Sequence, residues 1–481
     1  MSLLRSLAAN MAAIVSGKAM TAVAGLMTIM VLTRHLGPTE FGYYRTVLTY
    51  CAFAAVLADC GLYMINLREM SRVGADPGRI AGNALALRFV STGSVLVLAA
   101  ALAWGTPYDL TVKWGVMIGA AIYTCLQASD FLVSIFQSVL KQGRNAVAEV
   151  IGALVTLAVV WVLATTRAGA LPMLGATLLG AALALGISWR LAHRLVPFRL
   201  SFDRALWREF LVAGLPIAGA QILGMAMLRG DSLLLSFYQP ARDVGLYGVP
   251  SKLFEVATSI PYQFAGLMMP ALTAGARAGR LEFGTALRNA VDVGAVYGVG
   301  VILALALFAP QFLTLMAGTE FAAGAPALVI IAFAIALAGM THLLRFALVA
   351  CERPRFVLIG DSIACVCAFA AYFALIPRYS FVGAAIGTVV AEIAAMICML
   401  IGVKRAGRPL PSMMNPVKAV SAGVVAATVM VFLARRDFPW LLSLVLGGAV
   451  YLAGLVLTRA IPRELLLNVL RRRRVAYQGS A

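Results

Sequence analysis

The chain has 481 residues, of which 62% are apolar and only 12% are charged, where soluble domains carry roughly 25% charged residues. With a mean hydropathy of +0.92, it cannot be a soluble globular protein, a disordered chain or a secreted disulfide scaffold. Its unbroken apolar runs also exclude an outer-membrane barrel, whose strands alternate with period two.

A bilayer crossing takes about 20 apolar residues, so the chain has room for roughly 14 helices and no soluble catalytic domain. Apolar runs bounded by polar turns predict spans over 9–32, 44–66, 82–103, 115–140, 146–165, 171–191, 212–236, 248–271, 290–309, 325–344, 356–376, 381–402, 417–434 and 438–458. The first run is too long for the apolar region of a signal peptide and lacks a cleavage site, so it reads as the first helix. The expected fold class is an all-α integral membrane protein with about 14 transmembrane helices.

Between the sixth and seventh spans, residues 190–211 alternate Leu200, Leu206, Trp207, Phe210 and Leu211 with Arg204, Arg208 and Glu209. This pattern predicts an amphipathic helix on the membrane surface, joining two helical lobes. The tail from Ile461 to Arg474 reads the same way. The expected domains are an N-terminal lobe over 1–191, a cytoplasmic linker over 192–211, a C-terminal lobe over 212–402, and two extra helices with a basic tail over 403–481.

The formal net charge of +19 is explained by topology. The N-terminus, the connections after even-numbered spans and the C-terminus hold about 28 Lys and Arg, among them Arg68, Arg72, Arg79 and Arg88. The opposite connections hold about 8. The positive-inside rule therefore places both termini in the cytoplasm, with the remaining excess on anionic headgroups. No nucleic-acid partner is expected.

The connection after the first span reads Gly37-Pro38-Thr39-Glu40-Phe41-Gly42-Tyr43-Tyr44, and that after the seventh reads Gln239-Pro240-Ala241-Arg242-Asp243-Val244-Gly245-Leu246-Tyr247. Both carry Pro, then acidic–apolar–Gly–x–Tyr, with the two glycines 203 residues apart. Six spans separate the copies, which makes them a parallel repeat about an axis along the membrane normal, as in alternating-access transporters.

These residues resemble a family. Leu36 to Tyr43, Leu57-Ala58-Asp59-Cys60-Gly61-Leu62 and Arg68-Glu69 look like the N-terminal signature of bacterial polysaccharide (O-antigen type) flippases. Asp231, Val244-Gly245-Leu246-Tyr247 and Pro270 look like the matching later segment. The resemblance implies the multidrug/oligosaccharidyl-lipid/polysaccharide superfamily, with fourteen helices: two six-helix lobes related by pseudo-two-fold symmetry, plus two C-terminal helices. It also implies a substrate, an undecaprenyl-diphosphate-linked oligosaccharide moved across the bacterial inner membrane, with a polysaccharide polymerase and glycosyltransferases as working partners.

Charges inside a span must face protein or water. Lys18 and Arg229 are the candidate cations for an anionic diphosphate, because a cation in a low-dielectric cavity focuses field on phosphate. Asp59, Asp231, Lys252, Glu255 and Glu392 are candidates for coupling or gating. Equal distance from a turn means equal depth in antiparallel helices, so Lys18 with Asp59, Arg229 with Glu255 and Asp231 with Lys252 are also candidate ion pairs. Asp292, Asp361 and Glu149 are expected near span ends, in contact with Arg288, Arg345 and Arg355.

His35, His193 and His342 fall in or beside predicted connections without ligand spacing, and the seven cysteines read as small buried hydrophobes. Neither an enzyme, a metal nor an ATP site is expected; a proton or sodium ion is the candidate coupling ion. The alternatives are a multidrug cation exporter, a lipid II flippase of the same superfamily, or a membrane glycosyl- or acyltransferase. A cation exporter should have acidic, aromatic cavity walls.

Overall fold

A computed structural model describes residues 2–460 except 71, 73–75 and 140, without the side chains of 2–15 and 220. The predicted tail helix over 461–474 lies outside the described residues. Within them the chain is helical and without strands, because in a bilayer only helices satisfy every backbone group within one segment.

In chain order the helices are α1 (Ser2–Asp59), α2 (Leu62–Met70), α3 (Pro77–Trp104), α4 (Leu110–Ser138), α5 (Gly143–Ala164), α6 (Ala170–Leu195) and α7 (Arg204–Tyr238). They continue as α8 (Ala241–Ala278), α9 (Arg280–Leu305), α10 (Ala309–Ala317), α11 (Ala325–Ala350), α12 (Pro354–Arg405), α13 (Met414–Ala434) and α14 (Trp440–Leu457).

Ten helices among the described residues are long and apolar enough to cross a membrane, or eleven if the two parts of α7 form one span. Two of the ten have length for two crossings: 44 described residues of α1 and 52 of α12 rise about 66 and 78 Å, against a hydrocarbon core of about 30 Å. Each breaks near its middle. Gly37 adopts φ 65°, open to glycine at no cost, and Pro38 then starts the second half where its missing N–H is harmless. In α12 the break is at Ser380, with φ 50°. The predicted connections at both places are therefore kinks of single residues. By contrast, α8 is not among the ten, its apolar run being diluted by Pro250, Pro261, Pro270, Ser259 and Gln263.

The helices form two compact units: the described residues up to Gly248 with Met316–Glu320, and Val249–Leu315 with the described residues from Phe321 on. In the first, α1 packs on α3, α4, α5, α6 and α7. A core of Leu62, Ile65, Leu85, Phe131, Phe136 and Phe210 fills the space beside α2.

The amphipathic linker expected over 192–211 is divided in the structure. Leu195 ends α6, Arg204 begins α7, and residues 196–203 cross α3 without helix. They lie against Gly78 and Gly82, where the carbonyls of Pro197 and Arg199 leave no room for a Cβ. Asn83 Nδ2 donates to Ser201 Oγ at 2.7 Å, and the Asp203 N–H donates to Asn83 Oδ1 at 2.7 Å. Asp203 caps α7 by accepting from the N–H groups of Ala205 and Leu206, and pairs with Arg79 at 2.8 Å. The Arg79 guanidinium, with the Leu206 and Ala205 N–H groups, holds the Asp203 carboxyl below the usual carboxylate range. Part of the linker's apolar set thus faces the protein: Phe198 and Phe210 are buried in the same core, with Leu206, Trp207 and Leu211 packed on it, while Leu200 and Phe202 are exposed.

In the second unit α11 packs on α9 and α12 around Phe283, Leu287, Leu348 and Met399. Helices α13 and α14 pair with each other and with α9 around Leu303, Met430, Tyr451 and Leu455. Arg408 donates to the carbonyls of Ala276 and Gly279, satisfying acceptors that the end of α8 leaves open.

Candidate functional site

The first unit lines an open cavity of about 950 Å³, at the upper end of ordinary ligand sites. Helix α1 contributes Lys18, Thr21 and Asp59 to its wall; α3 contributes Arg88; α4 contributes Gln127, Ser129 and Asp130. Asn145 and Glu149 come from α5 and Gln221 from α7. Tyr63 is the one aromatic side chain among the described residues of the lining.

Local sequence explains several of these placements. Gly17 allows α1 to approach Ala146 of α5 so closely that an added Cβ would stand 2.7 Å from the alanine Cβ, and this crossing carries Lys18 into the cavity. Cys60 and Gly61, at φ 48° and 68°, end α1 just after Asp59. Gly61 and Gly214 of α7 pack backbone to backbone there, which glycine alone permits.

The Asp59 carboxylate, 6% exposed, accepts from Arg88 Nη1, 2% exposed. Arg88 Nη2 donates to Gln127 Oε1 at 2.9 Å, and Gln127 Nε2 donates to the Ala55 carbonyl at 2.6 Å. This pair corrects two expectations. Lys18 is not the partner of Asp59, since Arg88 occupies its carboxylate. Arg88 itself belongs about three turns inside α3 and not among the loop charges. Its position within the predicted span 82–103 was the available signal.

Glu149 likewise lies in the cavity wall instead of at an interfacial contact. It accepts from Asn145 Nδ2 at 2.6 Å, while Asn145 Oδ1 accepts from Ser188 Oγ at 2.9 Å. Lys18 is within electrostatic reach of Glu149. Asp130 is exposed to the cavity and makes no ion pair among the described residues.

The other candidates lie elsewhere. Arg229 is half-buried, within electrostatic reach of Tyr123, and is not a lining residue of the cavity. Asp231 is buried and accepts from the Tyr247 hydroxyl at 2.6 Å and from the Ser232 N–H at 2.5 Å. Lys252 donates to Glu255 at 3.0 Å, one turn along the same helix. Asp231 thus takes a phenol as partner and Lys252 a carboxylate of its own helix. Residues level in depth need not point at one another.

In the second unit the expected Arg345–Asp361 contact is present at 2.9 Å. His342, inside α11 and not in a connection, lies 3.0 Å from Arg345. Glu392 is buried near Arg345 and Thr341. Asp292 accepts from Asn415 Nδ2 at 2.6 Å, with Arg288 farther off at 3.9 Å. Lys18, Asp59 and Arg88 are therefore gathered in one cavity, and Asp231, Lys252, Glu255 and Glu392 are not part of it.

A model of polysaccharide biosynthesis proteins matches residues 7–274, more than half of the chain. The chain belongs to the polysaccharide biosynthesis protein family. No curated protein matches the chain in sequence. Among solved structures it is similar to the lipid II flippase MurJ in an inward closed conformation, with a TM-score of 0.77 and 13% identity over 93% of this chain and 98% of that one. It is also similar to a multidrug resistance MATE family transporter of the MOP superfamily, facing inward, with a TM-score of 0.59 and 17% identity over 80% and 94% of the two chains. A MOP superfamily transporter from Pyrococcus furiosus with a binding pocket of reverse polarity gives 0.51 and 16% over 84% and 96%. This polysaccharide biosynthesis family member thus has the transporter fold of that superfamily and is a multi-pass membrane protein.

Proposed function

We propose that the protein is a flippase that carries an undecaprenyl-diphosphate-linked oligosaccharide across the bacterial inner membrane by alternating access, with both termini cytoplasmic. The observation that carries this reading is the cavity: a space of about 950 Å³ whose largely apolar wall carries side-chain amides and charges, Lys18 among them, inside a bundle of apolar helices of a polysaccharide biosynthesis family. A lipid tail needs no such lining, whereas a glycan and its diphosphate do. Lys18 is the lining cation without an ion pair among the described residues, Arg88 being held by Asp59, and it is assigned to the diphosphate. Arg229 is assigned to the diphosphate at a later point of the path, outside this cavity. Asp231, Lys252, Glu255 and Glu392 are assigned to coupling and gating, with a proton or sodium ion as the coupling ion.

The test is leaflet exposure of a fluorescent undecaprenyl-diphosphate oligosaccharide in proteoliposomes. Translocation that needs the protein and is lost in Lys18→Ala, at normal levels of folded protein, is the expected result. No translocation by the unaltered, folded protein would overturn the reading.

One observation favours a second reading, an exporter of organic cations: Asp59, Asp130 and Glu149 outnumber Lys18 and Arg88 in the cavity wall. The single aromatic side chain argues against it, because organic cations bind by stacking on aromatic faces. Efflux of a cationic dye from the same vesicles distinguishes the two.

A further inference from the structure

We propose that a second, smaller pocket of the first unit is a subsite for one neutral pyranose ring. It lies at the end of the unit where α1 breaks, α3 gives way to α4, and α7 ends before α8. The proposal rests on the flippase reading and adds a place that holds one sugar unit at the outer end of the path, under the topology proposed above.

The pocket measures about 180 Å³, where drug-sized ligands take about 300–1,000 Å³, so it has room for a single ring and not for a chain. One wall is an aromatic platform. Phe237 stacks on Tyr108 with ring centroids 5.2 Å apart and planes 20° from parallel. That contact covers one face of each ring, yet Phe237 remains 37% exposed. Tyr108 is braced behind it: its hydroxyl meets Ser236 Oγ at 2.8 Å, and Tyr50 meets its ring at a right angle. An aromatic face carries partial negative charge, and the axial C–H bonds of a pyranose carry the opposite polarity, so a sugar face lies flat on such a ring. A single braced platform is not the cage of rings that encloses a quaternary ammonium group.

The polar ground is independent of the platform. Asp109 stands at the N-cap of α4, but its side chain makes no capping hydrogen bond. The exposed carboxylate accepts instead from the Tyr43 hydroxyl, across the same pocket. A carboxylate has about four acceptor positions, and one phenol fills one of them. The rest suit neighbouring sugar hydroxyls, in hydrogen bonds strengthened by the charge.

Packing does not account for these side chains. In the repeated motif the position before the buried tyrosine is Tyr43 in the first copy and Leu246 in the second, so the helix contact formed there does not need a phenol. Aromatic anchoring at a membrane surface is available close by in the exposed Trp104–Trp114 pair, which lies outside the pocket lining.

The experiment uses the full chain in nanodiscs of phosphatidylglycerol, with saturation-transfer NMR of three probes: methyl glucopyranoside, the open-chain polyol sorbitol, and tetramethylammonium. The glucoside should bind, and sorbitol about tenfold more weakly, because it has hydroxyls but no rigid face to stack. Phe237→Ala and Asp109→Asn should each weaken glucoside binding about tenfold in folded protein, whereas Phe237→Trp should keep it. No glucoside binding by the unaltered protein would overturn the proposal, as would tetramethylammonium binding in its place. Glucoside binding that survives Phe237→Ala and is lost in Lys18→Ala would put the sugar in the large cavity and overturn it too. All of these outcomes leave the flippase reading standing, since that reading is judged by translocation of the lipid-linked oligosaccharide in proteoliposomes.

Discussion

Gly42 and Gly245 make reciprocal contacts: Gly42 lies against the backbone of Ala241, where α8 begins, and Gly245 lies against the carbonyl of Pro38, where the second half of α1 begins. Each repeat glycine thus packs on the start of the other repeat's helix, the self-complementary pattern of a two-fold contact. The tyrosine two positions on is buried in both copies, Tyr44 meeting Thr177 Oγ1 at 3.0 Å and Tyr247 meeting Asp231. The motif's acids help helices begin: Glu40 Oε2 accepts from the Ala170 N–H at the start of α6, and Asp243 sits in the first turn of α8.

A side chain at either glycine would meet backbone, which no rotamer change relieves. Gly42→Ala and Gly245→Ala should each cost about 1–3 kcal/mol, seen as a lower thermal transition of purified protein in detergent. Gly93→Ala and Gly175→Ala are the controls, because a Cβ there enters open space and replaces glycine by the better helix former. Losses at all four positions alike would refute the contact.

The buried Asp59–Arg88 pair predicts a second pattern. Arg88→Ala leaves a carboxylate uncompensated in the protein interior and should cost about 3–5 kcal/mol. Replacing both, with Arg88→Met and Asp59→Leu, should recover most of that stability, as apolar substitutes for buried pairs commonly do. Thermal unfolding of the single and double variants measures the coupling, and additive losses would contradict it.

Asp203 predicts a pH dependence. Its pKa is lowered in the folded protein, chiefly by Arg79. It therefore adds stability above the ordinary carboxylate range, about pH 4, and that stability is lost as pH falls through the depressed folded value. Asp203→Asn should lower the unfolding temperature at pH 7. The gap between the two proteins should close as pH falls below 4. A gap that widens on acidification would reverse the sign and contradict the pairing.

Orientation gives a fourth test. Reporter fusions at Arg280 and Arg408 should be cytoplasmic, and those at Gly318 and Arg378 should be on the opposite side. Reversal at two or more of these positions would overturn the proposed topology.

Hydropathy, break residues and the repeated motif were legible without coordinates, since each is a property of a short stretch of chain. About 20 apolar residues in a row must cross a bilayer as helix whatever lies beside them, and Gly37-Pro38 must interrupt a helix wherever it stands. The sequence by itself therefore determined the helical membrane architecture, the repeat and the charged positions that need explaining. Only the tertiary structure decided their partners. Lys18 and Asp59 were matched by depth alone, but a helix turns 100° per residue, and its rotation against its neighbours is set by contacts between residues far apart in sequence. Gly17 against Ala146 and Gly61 against Gly214 are two such contacts. They bring Lys18 into a shared cavity with Glu149, close Asp59 onto Arg88, and turn a residue counted among loop charges into the centre of a buried network. The linker over 192–211 shows the same limit: its alternation predicted an apolar face, and only the tertiary packing decided that Phe198 and Phe210 would be buried in protein while Leu200 stays exposed.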